Sequence, residues 1–206
     1  MNQRPEFPQD IILEDERAKL RPLQLDDLQA LLPFALHEPE LWIYSMNSPA
    51  GKTGMENYIL STIEQRNHGQ EYPFIVFDKR TQRYAGSSRF YDIQLANQTV
   101  QLGYTWYGRE FQRTGLNWHC KLLLLTYAFE SWGMERVEFR ADATNDRSIQ
   151  AMKGIGCVEE GILRSQGPSA RGGRRDSIVL SILKNEWLNG KKEQLQTKIF
   201  AHRDNR

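Results

Sequence analysis

The stretch of this 206-residue chain with the most chemical content is TWYGREFQRTGLNWHCKLLLL, Thr105–Leu125. A β-branched and aromatic run delivers the chain to a turn containing Gly115, and a long helical pattern begins at once. The opening turn of a helix carries backbone N–H groups with no partner inside the helix. Its dipole favours negative charge at the same end. A glycine lets a ligand come close to the backbone, so this junction is suited to cradling a phosphate or pyrophosphate. Any strand–turn–helix corner can use a glycine for geometry alone, and that reading stays open beside the cradle. Two nucleotide-binding patterns fit poorly. No Lys-Ser or Lys-Thr follows a matched pair of glycines, as a P-loop requires, and Gly115 lacks the neighbouring glycines of a dinucleotide fingerprint.

Positioning such a corner requires a sheet with helices around it. Ala18–Leu23 alternates as a strand, and Asp26 and Asp27 open a short helix through Leu32 that Pro33 should limit. Leu41–Lys52 reads as irregular. Met55–His68 has a helical pattern stopped by Gly69. Phe74–Phe77 and Tyr84–Tyr91 are strand runs joined by the polar link DKRTQR, and Thr99–Tyr107 is a third. Gly115–Glu130 carries two apolar stripes, Leu116, Cys120, Leu123, Tyr127 and Leu122, Leu125, Phe129, so the helix should be buried over most of its surface. Val137–Ala141 is a strand, Asn145 is an N-cap for a helix over Asp146–Lys153, and Cys157–Leu163 and Ser177–Leu183 are strands flanking a basic, Gly-rich loop. The strand–helix–strand unit requires a right-handed crossover. The expected fold class is α/β (α+β): one domain with a mixed, mostly antiparallel central sheet flanked by helices. Its expected bounds are 18–188, with a polar lead over 1–17 and a detachable tail over 189–206 that is either a terminal helix or a frayed end.

Composition removes several function classes. Lys+Arg is 27 and Asp+Glu 26, a net charge of +1, which gives no global electrostatic case for nucleic acid or a membrane surface. No apolar run approaches the ~18 residues of a membrane span. The first residues, MNQRPEFPQD, lack the apolar core of a signal peptide, so a cytoplasmic location is expected. The two cysteines and four histidines show no ligand spacing, and no metal is expected.

The strings GYTW, RTGLN, KLLLL-x-YAFE, RVEF, N-x-x-S-x-x-A-M, EGILR and RRDSIVLSIL followed by EW occur in this order over Ala18–Trp187. Together they resemble the GNAT acetyltransferases of the RimJ/RimL-type branch. Gln112–Asn117 resembles that family's Q/R-x-x-G-x-G/A acyl-CoA signature, departing from it at Asn117, where Gly or Ala is usual. The resemblance implies acetyl-CoA as cosubstrate, transfer of its acetyl group directly to a primary amine, and a homodimer as a plausible assembly. The acceptor is open between a protein N-terminal α-amine and a small-molecule amine. The rival reading is a non-catalytic acyl-CoA-binding or regulatory module of the same fold.

The resemblance also assigns residues. Backbone groups of Tyr104, Thr105 and Trp106 would bind the pantetheine arm as an added strand, one N–H polarising the thioester carbonyl. Gln112, Arg113, Thr114, Gly115, Leu116 and Asn117 would hold the pyrophosphate. Asn145 and Ser148 would meet the cofactor arm. The departing thiolate benefits from an acid. Many relatives carry a tyrosine seven residues after the asparagine, but this chain has Met152, leaving Ser148 as the nearest hydroxyl. Asparagine and serine there serve equally well as helix caps. Glu110, Glu160 and Asp92 are the carboxylates considered for the base, with a water chain as the alternative. Cys120 reads as a small core residue and His119 as facing solvent or a neighbour. Trp42, Tyr44, Trp106 and Tyr107 are candidates for the acceptor pocket. Arg164, Arg171, Arg174 and Arg175 form a basic loop that a solvated turn would explain as well as an acidic partner would.

Overall fold

The computed structural model describes residues 10–45 and 48–204. Met46 and Asn47, the first nine residues of the expected lead and the last two of the tail lie outside them. The elements are β1 (Leu13–Glu14), β2 (Ala18–Pro22), α1 (Leu28–His37), α2 (Gly51–Asn67), β3 (Glu71–Asp78), β4 (Arg83–Gln94) and β5 (Thr99–Tyr107). They are followed by α3 (Leu116–Thr126), β6 (Arg136–Asp142), α4 (Asp146–Gly154), β7 (Val158–Pro168), β8 (Arg174–Leu183), α5 (Lys184–Glu186) and α6 (Lys192–Asp204). One eight-stranded sheet runs β1-β2-β3-β4-β5-β6-β8-β7. Every neighbouring pair is antiparallel except β5 and β6. The single α/β domain with a mixed, mostly antiparallel sheet is therefore as expected.

The parallel pair is the feature that makes a site. Parallel neighbours need a crossover, and α3 supplies it. Of the expected stripe Leu116 and Cys120 are wholly buried, as are Leu20, Phe74 and Phe129, but Leu123 and Tyr127 are only half-buried and Leu124 takes the inward position. Helix α2 lies over the other face, its Tyr58 hydroxyl bonded to Ser87 at 3.1 Å.

Four expectations need correction. Pro33 does not end the first helix, which runs on to His37. The carbonyl that loses its donor belongs to Gln29, which is exposed, while buried Leu31, Phe34 and Ala35 hold the helix to the core. The lead is not wholly separate, because Leu13 and Glu14 pair with β2 and Ile11 is buried. The tail is not detachable: Leu195 and Ile199 of α6 are 1% and 5% exposed, and Lys198 bonds the Gly154 carbonyl at 2.6 Å. The basic loop is mostly a continuation of the β7–β8 hairpin, pairing through Gly167–Arg175 and Pro168–Arg174. A register shift between Leu163 and Gly167, with Ser165 at φ 53°, lets it extend.

Candidate active site

Strands β5 and β6 pair over three residues only, Thr99–Gln101 against Arg136–Glu138. Beyond Gln101 they diverge, and the edge of β5 that faces β6 has no ladder partner there. Buried backbone groups are nearly always paired, so an unpaired edge inside a sheet is a template for an extended ligand. On its other edge β5 bulges. Gly103 opposes Arg89 and Trp106 opposes Ser87, so Tyr104 and Thr105 together face Ser88. Tyr104 takes the left-handed conformation, φ 47°, to make the extra residue fit.

The divergence opens a cleft of about 780 Å³. Tyr104, Thr105, Trp106, Gln112, Arg113, Gly115, Asn117, Asn145 and Ser148 all line it. Nine of the expected cofactor residues are thus brought together. Two are not. Leu116 is fully buried in the core, so it offers only backbone. Thr114 turns its hydroxyl to the Phe111 carbonyl at 2.7 Å and lines a smaller cavity of about 200 Å³ on the other side of Gly115.

Gly115 sits at φ 86°, caps α3 and is followed by a first turn without an acidic side chain. No internal carboxylate therefore competes for the positive end of the dipole. Both the left-handed backbone and the space demand glycine: a Cβ here would meet the His202 ring of α6 at 2.7 Å. At the mouth Arg147 bonds the Gln112 amide oxygen at 2.9 Å, and the Gln112 amide nitrogen bonds the Tyr107 carbonyl at 2.8 Å. The Leu116 amide donates to the Thr114 hydroxyl at 3.4 Å, and Arg113 and Arg147 stand on the cleft wall.

Asn145 caps α4 by accepting the Ser148 amide at 3.1 Å. It therefore serves as a cap and lines the cleft at once. Met152 also lines the cleft, where the hydroxyl of a tyrosine is missing.

Of the three carboxylates considered for the base, only Asp92 lines the cleft. It accepts hydrogen bonds from Gln101 at 2.7 Å and Gln94 at 2.9 Å. Glu110 is exposed and paired with Arg83 at 2.7 Å. Glu160 is paired with Arg136 and accepts from Ser181 at 2.6 Å. The Arg136 hydrogen bonds hold the Glu160 carboxyl below its usual range, which makes it a weaker base. Asp142 was not anticipated. It lines the cleft, and the Thr144 hydroxyl and amide hold it low against the opposing effect of burial.

Cys120 is fully buried, with its thiol pushed up to about 12 by desolvation, so it is core and no nucleophile. His119 does not face solvent. It is buried and bonded to Asp15 at 2.7 Å. With Glu16 these two form the one cluster of potential metal-ligating groups among the described residues, ligand atoms within 4.8 Å, and it lies outside the cleft lining. Trp42, Tyr44, Trp106 and Tyr107 all line the cleft. Arg175 joins them, donating to the Tyr44 carbonyl at 3.2 Å, while Arg171 lies over the Tyr44 ring at 4.8 Å.

The residue that sequence reasoning passed over is Lys121. It stands four positions after Asn117, one turn along the same helical face. It lines the cleft yet is 5% exposed. Its only marker in the sequence is being the one charged residue inside a stretch read as apolar stripes.

No described helix is long and apolar enough to cross a membrane. The profile of the acetyltransferase (GNAT) domain matches residues 17–158. The N-acetyltransferase p20 of Bacillus licheniformis, itself uncharacterized, is 27% identical over 176 residues, 85% of this chain and 97% of that protein. YdaF of Bacillus subtilis strain 168, a candidate ribosomal N-acetyltransferase, is 32% identical over 102 residues, 50% of this chain and 55% of that protein. In fold, the chain superimposes on a GCN5-related N-acetyltransferase from Brucella melitensis with a TM-score of 0.85 at 24% identity, covering 95% of this chain and 88% of that one.

Proposed function

The chain belongs to the GNAT acetyltransferase family and is an N-acetyltransferase, and from that premise we propose that it moves the acetyl group of acetyl-CoA directly onto a protein N-terminal α-amine. Acetyl-CoA is the cosubstrate that GNAT acetyltransferases use. The observation that carries the reading is the unpaired edge of β5 opening beside the Gly115 corner. The pyrophosphate lies against the first-turn amides of α3 from Gly115 to Asn117, with Arg113 and Arg147 as the nearby cations. The pantetheine arm extends along Tyr104–Trp106 as an added strand. A backbone N–H at the bulge polarises the thioester carbonyl, a fixed dipole aimed where charge develops.

The acceptor enters between Trp42, Tyr44, Tyr58, Tyr91 and Tyr104, all on the cleft wall. Aromatic faces hold an ammonium by its charge, and the Asp92 carboxylate orients it before it loses a proton and attacks. A protein N-terminus is favoured over a small amine by the similarity to YdaF and by the basic hairpin carrying Arg171 and Arg175 at this end of the cleft. Calorimetry with acetyl-CoA should show saturable binding, and its absence would sink the reading. Thiol release measured over a panel of peptides, polyamines and amino acids should be fastest with peptides. Turnover on small amines alone would move the acceptor class, and binding without any turnover would return the chain to a non-catalytic module. A cytoplasmic location and a homodimer belong to the same proposal, to be read by fractionation and light scattering.

A further inference from the structure

Lys121 projects from α3 towards the bulge of β5. Its ammonium donates to the Thr105 hydroxyl at 2.7 Å and the Ser88 hydroxyl at 3.3 Å, and it lies 5.9 Å from the centre of the Phe139 ring on β6. It therefore sits between the two diverging strands, under the residue at the centre of the unpaired edge. No carboxylate pairs with it among the described residues. The titratable groups acting on it are the thiols of Cys120 on its own helix and Cys157 beyond α4. Burial pushes both up to about 12, so neither supplies a counter-charge near neutrality.

An unpaired buried cation is expensive, and proteins generally replace or neutralise it. A methionine or leucine would satisfy the same helix face at no such cost. Keeping an ammonium here makes chemical sense if an anion forms beside it during turnover. The cradle at Gly115 and Lys121 are six residues apart on one helix, about 9 Å of axis, so an arm anchored at the corner and running inward along β5 leads toward the lysine. The hydroxyl-bearing side chain expected for an acid is replaced by Met152 in the same cleft.

We propose that Lys121 is the acid that receives the departing thiolate. The inference rests on the acetyl-CoA reading above. The acceptor nitrogen, neutral, attacks the thioester carbon and the C–N bond forms. The C–S bond breaks with its electron pair passing to sulfur, and the Lys121 ammonium gives that sulfur its proton. The proton shed by the new amide nitrogen leaves through the open cleft, and the neutral lysine is reprotonated from the same solvent. Thr105 and Ser88 hold the Nζ in place throughout. Burial pushes Lys121 down to about 8, so at neutral pH the acid is loaded and ready to give up its proton.

The test uses Lys121→Met and Lys121→Arg with two readouts. In the first, CoA is bound to each protein and its thiolate absorbance is followed as pH rises. In wild type the bound thiol should titrate at least one unit below free CoA. The methionine variant should lose this shift, and arginine should keep it through its charge. In the second, kcat should fall about 10²-fold in the methionine variant, with acetyl-CoA affinity by calorimetry changed less than about threefold. Arginine, which holds its proton too tightly to give it up, should stay well below wild type in kcat despite the retained charge. Equal thiol titration in wild type and Lys121→Met, or unchanged kcat in that variant, overturns the proposal while leaving the function intact. Failure of wild type to bind CoA overturns the function and this assignment together.

Discussion

Arg89 and Lys121 approach the same pair of strands from opposite faces. Their neighbours on β4 and β5 alternate, as strand residues do: Arg89 shares a face with Ser87 and α2, and Lys121 bonds Ser88 and belongs to α3. Both side chains are buried, yet their surroundings are opposite. Arg89 is ion-paired with Glu71, side chains 8% and 17% exposed, and lies 4.0 Å from the Tyr104 ring centre and 5.0 Å from that of Tyr58. Lys121 has two hydroxyls and, among the described residues, no counter-ion. The arginine has its carboxylate, although its buried Nε has no hydrogen-bond partner, and it braces the bulge from behind. The lysine has no carboxylate partner among the described residues and bonds Thr105 on the stretch of β5 beyond its pairing with β6. The difference separates a cation that serves the fold from one whose presence the fold merely tolerates.

This contrast can be broken from either side. The largest effect is expected on the braced side. Glu71→Ala strands a buried guanidinium and should cost about 3–5 kcal/mol of stability, measured by denaturant titration. A loss under about 1 kcal/mol would show that the pair is not holding the bulge.

The next effect sharpens the other side through pH. Lys121 is depressed from an ordinary 10.5 to about 8. Between these values the unfolded chain binds more protons than the folded one, so stability rises with pH across that window. The penalty is fully present below about 8. The shift corresponds to about 3 kcal/mol. Lys121→Met should abolish that rise and be neutral or stabilising at pH 7, read as the wild-type minus variant difference in unfolding free energy from pH 7 to 10.5. A flat difference would mean that water reaches the ammonium.

Gly115→Val comes next. It forces a β-branched residue into a left-handed backbone, at about 1–2 kcal/mol, and drives a side chain into the His202 ring, 2.7 Å from the Cβ position. Acetyl-CoA affinity should fall about tenfold or more by calorimetry, and unchanged affinity would argue against the corner as the anion site. The smallest effect is expected for Ser148→Ala. Its amide, rather than its hydroxyl, is what Asn145 holds, so both stability and the barrier to turnover should change by under about 0.5 kcal/mol. A larger fall in kcat than in affinity would reinstate Ser148 as an acid.

Much of this arrangement was legible in the residues. Thr99–Tyr107 is strand over the range its β-branched and aromatic composition indicates, and Asn145 caps α4 as its position before an acidic first turn suggests. The corner at Gly115 could be read because a strand-like run, a glycine and an apolar helix follow one another without a gap. What local pattern could not supply was anything decided by packing across the sheet. Pro33 continues its helix because the core holds the flanking turns. Among its described residues the tail has two well-buried ones, Leu195 and Ile199, too sparse a stripe to stand out. Lys121 was masked by the leucines after it, since a helix buried on most sides looks apolar whether or not one cation is enclosed. The carboxylates of Glu110 and Glu160 could not be told from Asp92 before their arginine partners were known.

The seating of His202 on Gly115 ties two events together. The ring also stands edge-on to Trp118, centroids 5.3 Å apart, so the last helix and the Gly115 corner share a boundary more than eighty residues apart in sequence. By linkage, whatever occupies that corner while the helix is docked contributes its occupancy free energy to the docking. Saturation with cosubstrate should then retard proteolytic clipping at α6 more than anywhere else on the surface, giving a reporter of loading that requires no catalysis.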